Sequence, residues 1–122
     1  MPLKLLLVGV GGFAGSVCRY LISHFLKSPQ GFPWATFTAN GLGCLLIGLA
    51  AGLLSQEQKY LQLLLITGFL GGFTTFSSFG YETISLIQND QHRLALFNVV
   101  AQLGFGGIAV LLGLTIARAL AT

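Results

Sequence analysis

The side chains best suited to bind a small ion lie in one segment near the middle of the sequence. Phenylalanines recur there every third residue, which predicts one helix face, with hydroxyl side chains between them: Phe73, Thr74, Thr75, Phe76, Ser77, Ser78 and Phe79. Because the edge of a phenyl ring is the positive end of its quadrupole, ring edges and hydroxyl donors could together hold a dehydrated anion. Such a site needs no lysine or arginine, which would bind the ion too strongly. Phenylalanines of a membrane helix can equally face lipid, and these residues alone leave both interpretations open.

A carboxamide occupies a second apolar stretch, at Asn40. A polar side chain inside a membrane span is costly unless it has a partner. One interpretation is a hydrogen bond between helices. The other is a neutral N–H donor that faces a water-filled path and replaces a water molecule bound to an anion.

Residues 71–75 combine two glycines with two threonines, which makes them a poor helix interior. A helix break there would leave backbone carbonyls without helical donors, and in lipid such groups must be satisfied by protein, water or an ion. Unwound carbonyls at mid-membrane coordinate sodium in other membrane proteins. The sequence therefore predicts either a bound monovalent cation or an ordered water at this break.

Two charged residues fall inside predicted spans, at Arg19 and Glu82. Such charges are by default functional or paired. Arg19 lies about two turns from Lys27, so it could reach the interface and attract anions to a pore mouth. Glu82 is expected in a vestibule or in a pair with an arginine.

The composition requires a membrane environment. Of the 122 residues, 54% are hydrophobic and only 7% are charged, whereas a soluble domain carries charge on roughly a quarter of its residues. The six basic residues are scattered singly, which argues against a nucleic-acid partner. The lipid bilayer is therefore the expected surrounding of this chain.

Charged positions divide the sequence into four stretches of the length that crosses a bilayer. We predict an all-α membrane protein whose single transmembrane domain covers residues 1–122, with helices at about 5–26, 34–54, 60–88 and 94–117. The third would be about 43 Å long if continuous, against a hydrocarbon core of about 30 Å. Its length therefore also favours a break near residues 71–75.

Glycines four residues apart predict close contacts between helices, which serve general packing or a dimer face. The pairs are Gly11 and Gly15, Gly48 and Gly52, and Gly68 and Gly72. Four spans put three basic residues on each side of the membrane: Lys4, Lys59 and Arg118 against Arg19, Lys27 and Arg93. Because topology depends on a bias of such charges, we predict insertion in both orientations and an antiparallel, dual-topology homodimer.

Three segments of this sequence resemble the Fluc (CrcB) fluoride channel family. They are Gly-Gly-Phe-Thr-Thr-Phe-Ser-Ser-Phe at 71–79 followed by Glu82, Thr-Phe-Thr-Ala-Asn-Gly-Leu-Gly at 36–43, and Gly-Gly-Phe-Ala-Gly-Ser-Val-Cys-Arg at 11–19. The resemblance covers essentially the whole chain. It implies an antiparallel homodimer in the cell inner or plasma membrane, with two pathways for passive fluoride export from the cytoplasm and one central structural sodium ion.

The resemblance also implies roles for single residues. Phe76 and Phe79 would line the fluoride pathway and Asn40 would be its asparagine. Ser77 and Ser78 would belong to a polar track, and Thr75 would be a further residue of the fluoride pathway. Arg19 would lie in the vestibule, and Gly71 and Thr74 would give backbone carbonyls to sodium. This chain departs from some relatives by carrying Asn98 and Gln102 on the fourth helix, where those relatives have a tyrosine and serines. Their i, i+4 spacing still makes one polar face.

Two other functions are compatible with a small membrane protein of four helices. Proton-coupled small multidrug exporters have similar length, but they depend on a carboxylate in the first helix, and this chain has no acidic residue before Glu57. A membrane scaffold would explain the glycines but not the clustered phenylalanines and hydroxyls. Conduction requires selection rather than bond chemistry, so we expect no enzymatic activity.

Overall fold

The computed structural model of the chain describes residues 1–28 and 31–122. Within these ranges the regular structure is helical, without a strand. Four helices are long and apolar enough to cross a membrane: Pro2–Phe25, Trp34–Leu53, Lys59–Gln88 and His92–Ala121. The first, second and fourth are labelled α1, α2 and α5. The prediction of an all-helical protein with four membrane-spanning helices is confirmed.

The third span is broken into two helices, α3 and α4. α3 covers residues 59–73 and consists of Lys59–Gln62, a π-helical stretch Leu63–Leu70, and Gly71–Phe73, whereas α4 is Phe76–Gln88. Between them, Thr74 (φ −91°, ψ 160°) and Thr75 (φ −151°, ψ 120°) are extended. The expected break is present, and it begins only at Thr74 because the two glycines are still helical.

The π-helical stretch was not predicted. A π-helix differs from an α-helix only in bonding i to i+5, and the apolar sequence of residues 63–70 is compatible with both. Its neighbour is α1, whose Val8 carbonyl would lie 2.9 Å from a Cβ placed on Gly68. The wider turn therefore brings a glycine of α3 against the backbone of α1.

The helices pack in two close pairs, α1 with α3 and α2 with α5. A Cβ on Gly15 would overlap the Phe69 carbonyl of α3, and one on Gly48 would overlap the Val110 carbonyl of α5. Lipid tails are as apolar as leucine, so membrane helices associate by close backbone packing rather than by hydrophobic burial. These glycines are thus used for packing within the chain.

One glycine of α2 positions the break. A Cβ on Gly43 would overlap the Thr74 methyl group, so only glycine lets the extended residues approach α2 this closely. The Thr74 hydroxyl donates to the Leu70 carbonyl at 2.9 Å and closes the end of α3. Thr74 is therefore packed against α2 at Gly43 and bonded to the end of α3 at Leu70.

We expect Gly15→Ala to lower the free energy of unfolding by about 1–3 kcal/mol, because the new methyl group meets backbone that cannot move aside. Gly9→Ala is the matched control, since a Cβ on Gly9 of the same helix has no atom within 4 Å. Unfolding of both variants by a denaturing detergent, followed by circular dichroism, measures the difference. Equal stability of the two variants would contradict this account of α1 and α3.

Candidate functional site

The helix break is bridged by the carboxamide of Asn40. The Thr75 N–H donates to Asn40 Oδ1 at 2.8 Å, and Asn40 Nδ2 donates to the Thr75 carbonyl at 3.0 Å. Both polar groups of one extended residue are therefore paired with one side chain, much as a neighbouring strand would pair with them. In lipid an unpaired backbone group costs several kcal/mol. The inter-helical hydrogen bond considered for Asn40 is present.

Asn40 Nδ2 also donates to Gln102 Oε1, at 2.9 Å. A carboxamide nitrogen carries two N–H groups, so both of those on Asn40 are committed in this arrangement. The donor that the sequence assigned to an ion path is directed instead to Thr75 and Gln102. An anion would reach it only by displacing one of these partners.

From Gln102 the hydrogen bonds continue through α5 into α4. Gln102 Nε2 donates to Asn98 Oδ1 at 3.1 Å, and Asn98 Nδ2 donates to Thr83 Oγ1 at 2.9 Å. The Thr83 hydroxyl then donates to the Phe79 carbonyl at 2.8 Å. Asn98 is 0% exposed, the largest fully buried side chain of the described residues. The sequence placed Asn98 and Gln102 on one polar face but gave no sign of Thr83, because facing positions follow only from the packing of α4 on α5.

The side chains around Asn40 form an open groove of about 300 Å³. The rings of Phe76 and Phe79 lie in it with centroids 5.8 Å apart and planes inclined by 60°. Phe76 is 81% exposed in the single chain. The groove thus brings together six of the residues singled out from the sequence: Asn40, Thr74, Thr75, Phe76, Phe79 and Gln102.

Phe73 does not share this face, which corrects the prediction of one phenylalanine stripe. Its ring is only 4% exposed and stacks on Phe69 at 5.6 Å. The extended residues 74 and 75 change the helical phase between Phe73 and Phe76, so the three-residue period does not pass through the break. Phe73 belongs to the packing of α3.

A second cavity, of about 710 Å³, adjoins the break on the side of α1. We refer to it as the vestibule; its polar lining includes Arg19, Ser23, Lys27, Thr36, Thr75, Ser77, Ser78 and Glu82. Thr75 lines both the vestibule and the groove. Its hydroxyl accepts from the Ser78 N–H at 3.2 Å, so it caps α4, and lies 3.4 Å from Ser77 Oγ.

Arg19 bonds to the end of α3 rather than reaching towards the interface. Its Nε donates to the Gly72 carbonyl at 3.1 Å, and the side chain is half-buried. Glu82 lies in the same cavity beside Thr36. Its Oε1 is buried and has no hydrogen-bond partner among residues 1–28 and 31–122. Of the two positions expected for Glu82, the vestibule is the one observed.

The two residues expected to bind sodium lie on either side of the turn into the break. In a continuous helix the Thr75 N–H would bond to the Gly71 carbonyl, but it donates to Asn40 instead. Gly71 is exposed on the surface of the chain. The Thr74 hydroxyl donates to the Leu70 carbonyl, and the backbone carbonyl of Thr74 is the group expected to bind the cation. A hard monovalent cation prefers such oxygen ligands.

Comparison with known proteins places these features in a family. Residues 6–114 match the family described as CrcB-like protein, Camphor Resistance (CrcB). A protein named "Fluoride-specific ion channel FluC" from Rhizobium leguminosarum bv. trifolii is 43% identical, and the alignment covers 98% of this chain and 99% of the relative. Proteins of the same name from Clostridium perfringens and Prosthecochloris aestuarii are 44% and 46% identical, over 94% and 93% of this chain and 94% and 91% of their own.

These relatives are named as ion channels, and the expectation that the chain is not an enzyme is confirmed. The resemblance that rested on three short segments extends over nearly the whole of both sequences. With four helices able to cross a bilayer, the chain is a multi-pass membrane protein. It belongs to the CrcB family.

Proposed function

We propose that this chain forms a fluoride-selective channel, through which fluoride leaves the cytoplasm passively across the cell inner or plasma membrane. The observation that carries the proposal is the groove at the helix break, where ring edges, hydroxyls and amides meet. None of its lining residues in the described chain carries a charge. The identity of the ion is inferred from the relatives, which are named as fluoride-specific ion channels.

Selection in this channel rests on replacing the water around a small, strongly hydrated anion. Hydroxyl groups of Thr75, Ser77 and Ser78 supply neutral donors, and the edges of Phe76 and Phe79 supply weak positive charge. Neutral groups bind the ion closely enough to strip its water but weakly enough to release it. Chloride is larger, so the width of the groove and the spacing of its donors exclude it.

The path begins in the vestibule. Its lining has two cations, Arg19 and Lys27, against one carboxyl, Glu82, and this excess of positive charge would raise the local concentration of anions. Thr75, which lines both cavities, connects the vestibule with the groove. Fluoride therefore passes from a charged mouth to a neutral, narrow site.

The functional unit we propose is an antiparallel, dual-topology homodimer. The exposed ring of Phe76 lies in the lining of the open groove, where a second copy would close it. The equal numbers of basic residues at the two sides of the membrane support insertion in both directions. Each dimer would then contain two pathways.

A structural sodium ion at the centre of the dimer would be held by the carbonyls of Gly71 and Thr74. When bound, it would supply a fixed positive charge that satisfies carbonyls which the break has left without helical donors. Loss of the helical bond to Gly71 is the feature that supports this assignment. The protein itself holds the break from the other side, through Asn40 and Arg19.

The comparisons do not favour a proton-coupled small multidrug exporter, the alternative function. That mechanism needs a carboxylate in the first helix, and the membrane-spanning acid here is Glu82, on α4. Glu82 faces the vestibule, whose lining includes the cationic side chains of Arg19 and Lys27, which would disfavour an organic cation. Proton-driven efflux of an organic cation from proteoliposomes would reverse this preference.

Purified protein in proteoliposomes is expected to release fluoride much faster than chloride, measured with ion-selective electrodes. Phe76→Ile should slow fluoride efflux by about tenfold, because it removes a ring edge worth on the order of 1 kcal/mol to the passing ion. Phe13→Ile is the matched control, since Phe13 on α1 is 75% exposed and lies away from the groove. Absence of fluoride efflux from folded protein would refute the function, and full activity of Phe76→Ile would refute only the role of that ring.

Reporter domains fused to the C-terminus are expected to be found on both sides of the membrane in similar amounts, because the basic residues are balanced. Adding two lysines beside Lys4 should bias the reporters to one side and reduce the assembled dimer. Co-expression with a variant biased the opposite way, by lysines beside Arg93, should restore it. A single orientation of the unaltered protein would contradict dual topology.

Sodium is expected to raise the melting temperature of the purified protein in a saturable manner, because a ligand that binds only the folded form stabilises it. Replacing sodium by N-methylglucamine should lower both the melting temperature and the rate of fluoride efflux. Equilibrium dialysis with radioactive sodium should give one ion per two chains. Identical melting curves and fluxes in the two salts would rule out a structural sodium ion.

A further inference from the structure

The amide groups of the groove differ in how many hydrogen-bond donors they have left. Both N–H groups of Asn40 are committed, one to Thr75 and one to Gln102. Gln102 Nε2 also carries two N–H groups, but only one of them is used, in the bond to Asn98 Oδ1. The other has no acceptor in the part of the chain that the structure describes.

The orientation of these amides is fixed by backbone atoms whose identity is certain. A backbone N–H can only donate and a carbonyl can only accept, so the two bonds to Thr75 determine which atom of Asn40 is nitrogen. Asn40 nitrogen then faces Gln102, which must present its oxygen. The nitrogen of Gln102 consequently faces Asn98, and its second N–H has no acceptor among the described residues, at a side chain that lines the groove.

The hydrogen bonds at the Phe79 end of this series require the same orientation of the amides. The Phe79 carbonyl can only accept, so the Thr83 hydroxyl donates to it and accepts from Asn98 Nδ2. Asn98 therefore turns its oxygen towards Gln102. Both ends require the same orientation of Gln102, and a reversed amide would face oxygen with oxygen at one contact and nitrogen with nitrogen at the next.

Gln102 lines the groove together with Phe76 and Phe79. The Thr74 hydroxyl in that lining donates to Leu70. The Thr75 hydroxyl accepts from Ser78 N–H and shares one hydrogen bond with the Ser77 hydroxyl, so one O–H of that pair remains as a weaker, rotatable donor. An amide N–H without an acceptor in a membrane cavity is costly, and an anion is its best partner. The groove therefore has one amide donor ready for an ion.

We propose that Gln102 supplies the amide N–H that bonds to the permeating anion in the groove, and that Asn40 and Asn98 hold it in position. This inference rests on the proposed function of anion conduction. It assigns contact with the ion to a residue of the fourth helix, and it makes Asn40 a positioning residue that acts through Thr75 and Gln102. The ligand class is a small monovalent anion, with fluoride as the ion to test.

The inference can be tested on the unaltered protein by nuclear magnetic resonance of side-chain amides labelled with nitrogen-15. During titration with fluoride, one Nε2 proton of Gln102 should move downfield and saturate, whereas equal chloride should leave it in place. The Asn40 protons should move much less, and those of Gln58, in the polar loop after α2, should not move. Saturable shifts on Asn40 with none on Gln102 would overturn the assignment.

Substitution gives a second, independent test in proteoliposomes. Gln102→Met keeps the length of the side chain but removes the donor, and should slow fluoride efflux by about 10- to 100-fold, the loss expected for one hydrogen bond to an ion. Gln102→Glu keeps an acceptor for Asn40 but adds a negative charge, and should slow efflux further. Thr115→Val is the matched control on the same helix, because the Thr115 hydroxyl bonds only to its own helix, at Leu111.

The outcomes separate this inference from the proposed function. If unaltered protein conducts fluoride selectively and Gln102→Met keeps at least half of that rate, Gln102 is not the donor although the channel function stands. If unaltered, folded protein conducts no fluoride, the function itself fails. If Gln102→Met does not fold, the amide shifts of the unaltered protein decide.

Discussion

A membrane interior tolerates no unpaired backbone polar group, and this constraint governs the centre of the molecule. The third span is interrupted at Thr74 and Thr75, where hydrogen bonds of the helical ladder are lost within a membrane-spanning segment. Hydrogen bonds from side chains of the first two spans replace these lost bonds. Asn40 pairs with both polar groups of Thr75, and Arg19 donates to the Gly72 carbonyl. The break can exist only because α1 and α2 present these two side chains to it.

The replacement of helical hydrogen bonds by side-chain hydrogen bonds also accounts for the shape of the proposed pathway. Extended residues 74 and 75 change the direction in which side chains leave the chain, so Phe73 packs inside α3 while Phe76 and Phe79 line the groove. Asn40 can hold the break only from a position beside those rings. Structural support and the lining of the groove are thus two consequences of one interaction, in which Asn40 lies beside the groove with both of its N–H groups bonded to protein.

The sequence predicted the features that follow from local chemistry. Hydropathy is enough for the four spans, because crossing a bilayer depends on length and apolar character. The glycines and threonines of residues 71–75 indicate a break, because their helix propensity is low. The π-helical stretch at Leu63–Leu70 has no such signature, since its residues are as apolar as those of an ordinary span.

Features that depend on packing between helices could not be predicted from the sequence. The stripe that was expected to include Phe73 assumed one helical phase, which the break interrupts. Spacing put Asn98 and Gln102 on one face of α5, but only the angle between α4 and α5 brings Thr83 to Asn98. That both Asn40 donors are committed follows from the same packing. Hydrogen-bond partners far apart in sequence cannot be inferred from residue type alone.

In the interior of this chain, the directions of hydrogen bonds determine how the helices are arranged, more than the packing of bulky apolar side chains does. Helices approach through glycines such as Gly15 and Gly48, and close backbone contact alone would tolerate small shifts along the helix axes. The series of hydrogen bonds from Thr75 to Phe79 does not tolerate such shifts. A donor at one end and an acceptor at the other allow only one orientation of each amide between them. A groove built in this way presents its donors at fixed points. Discrimination between anions that differ mainly in radius requires such fixed donors, since a pliable site would adjust its width to either ion.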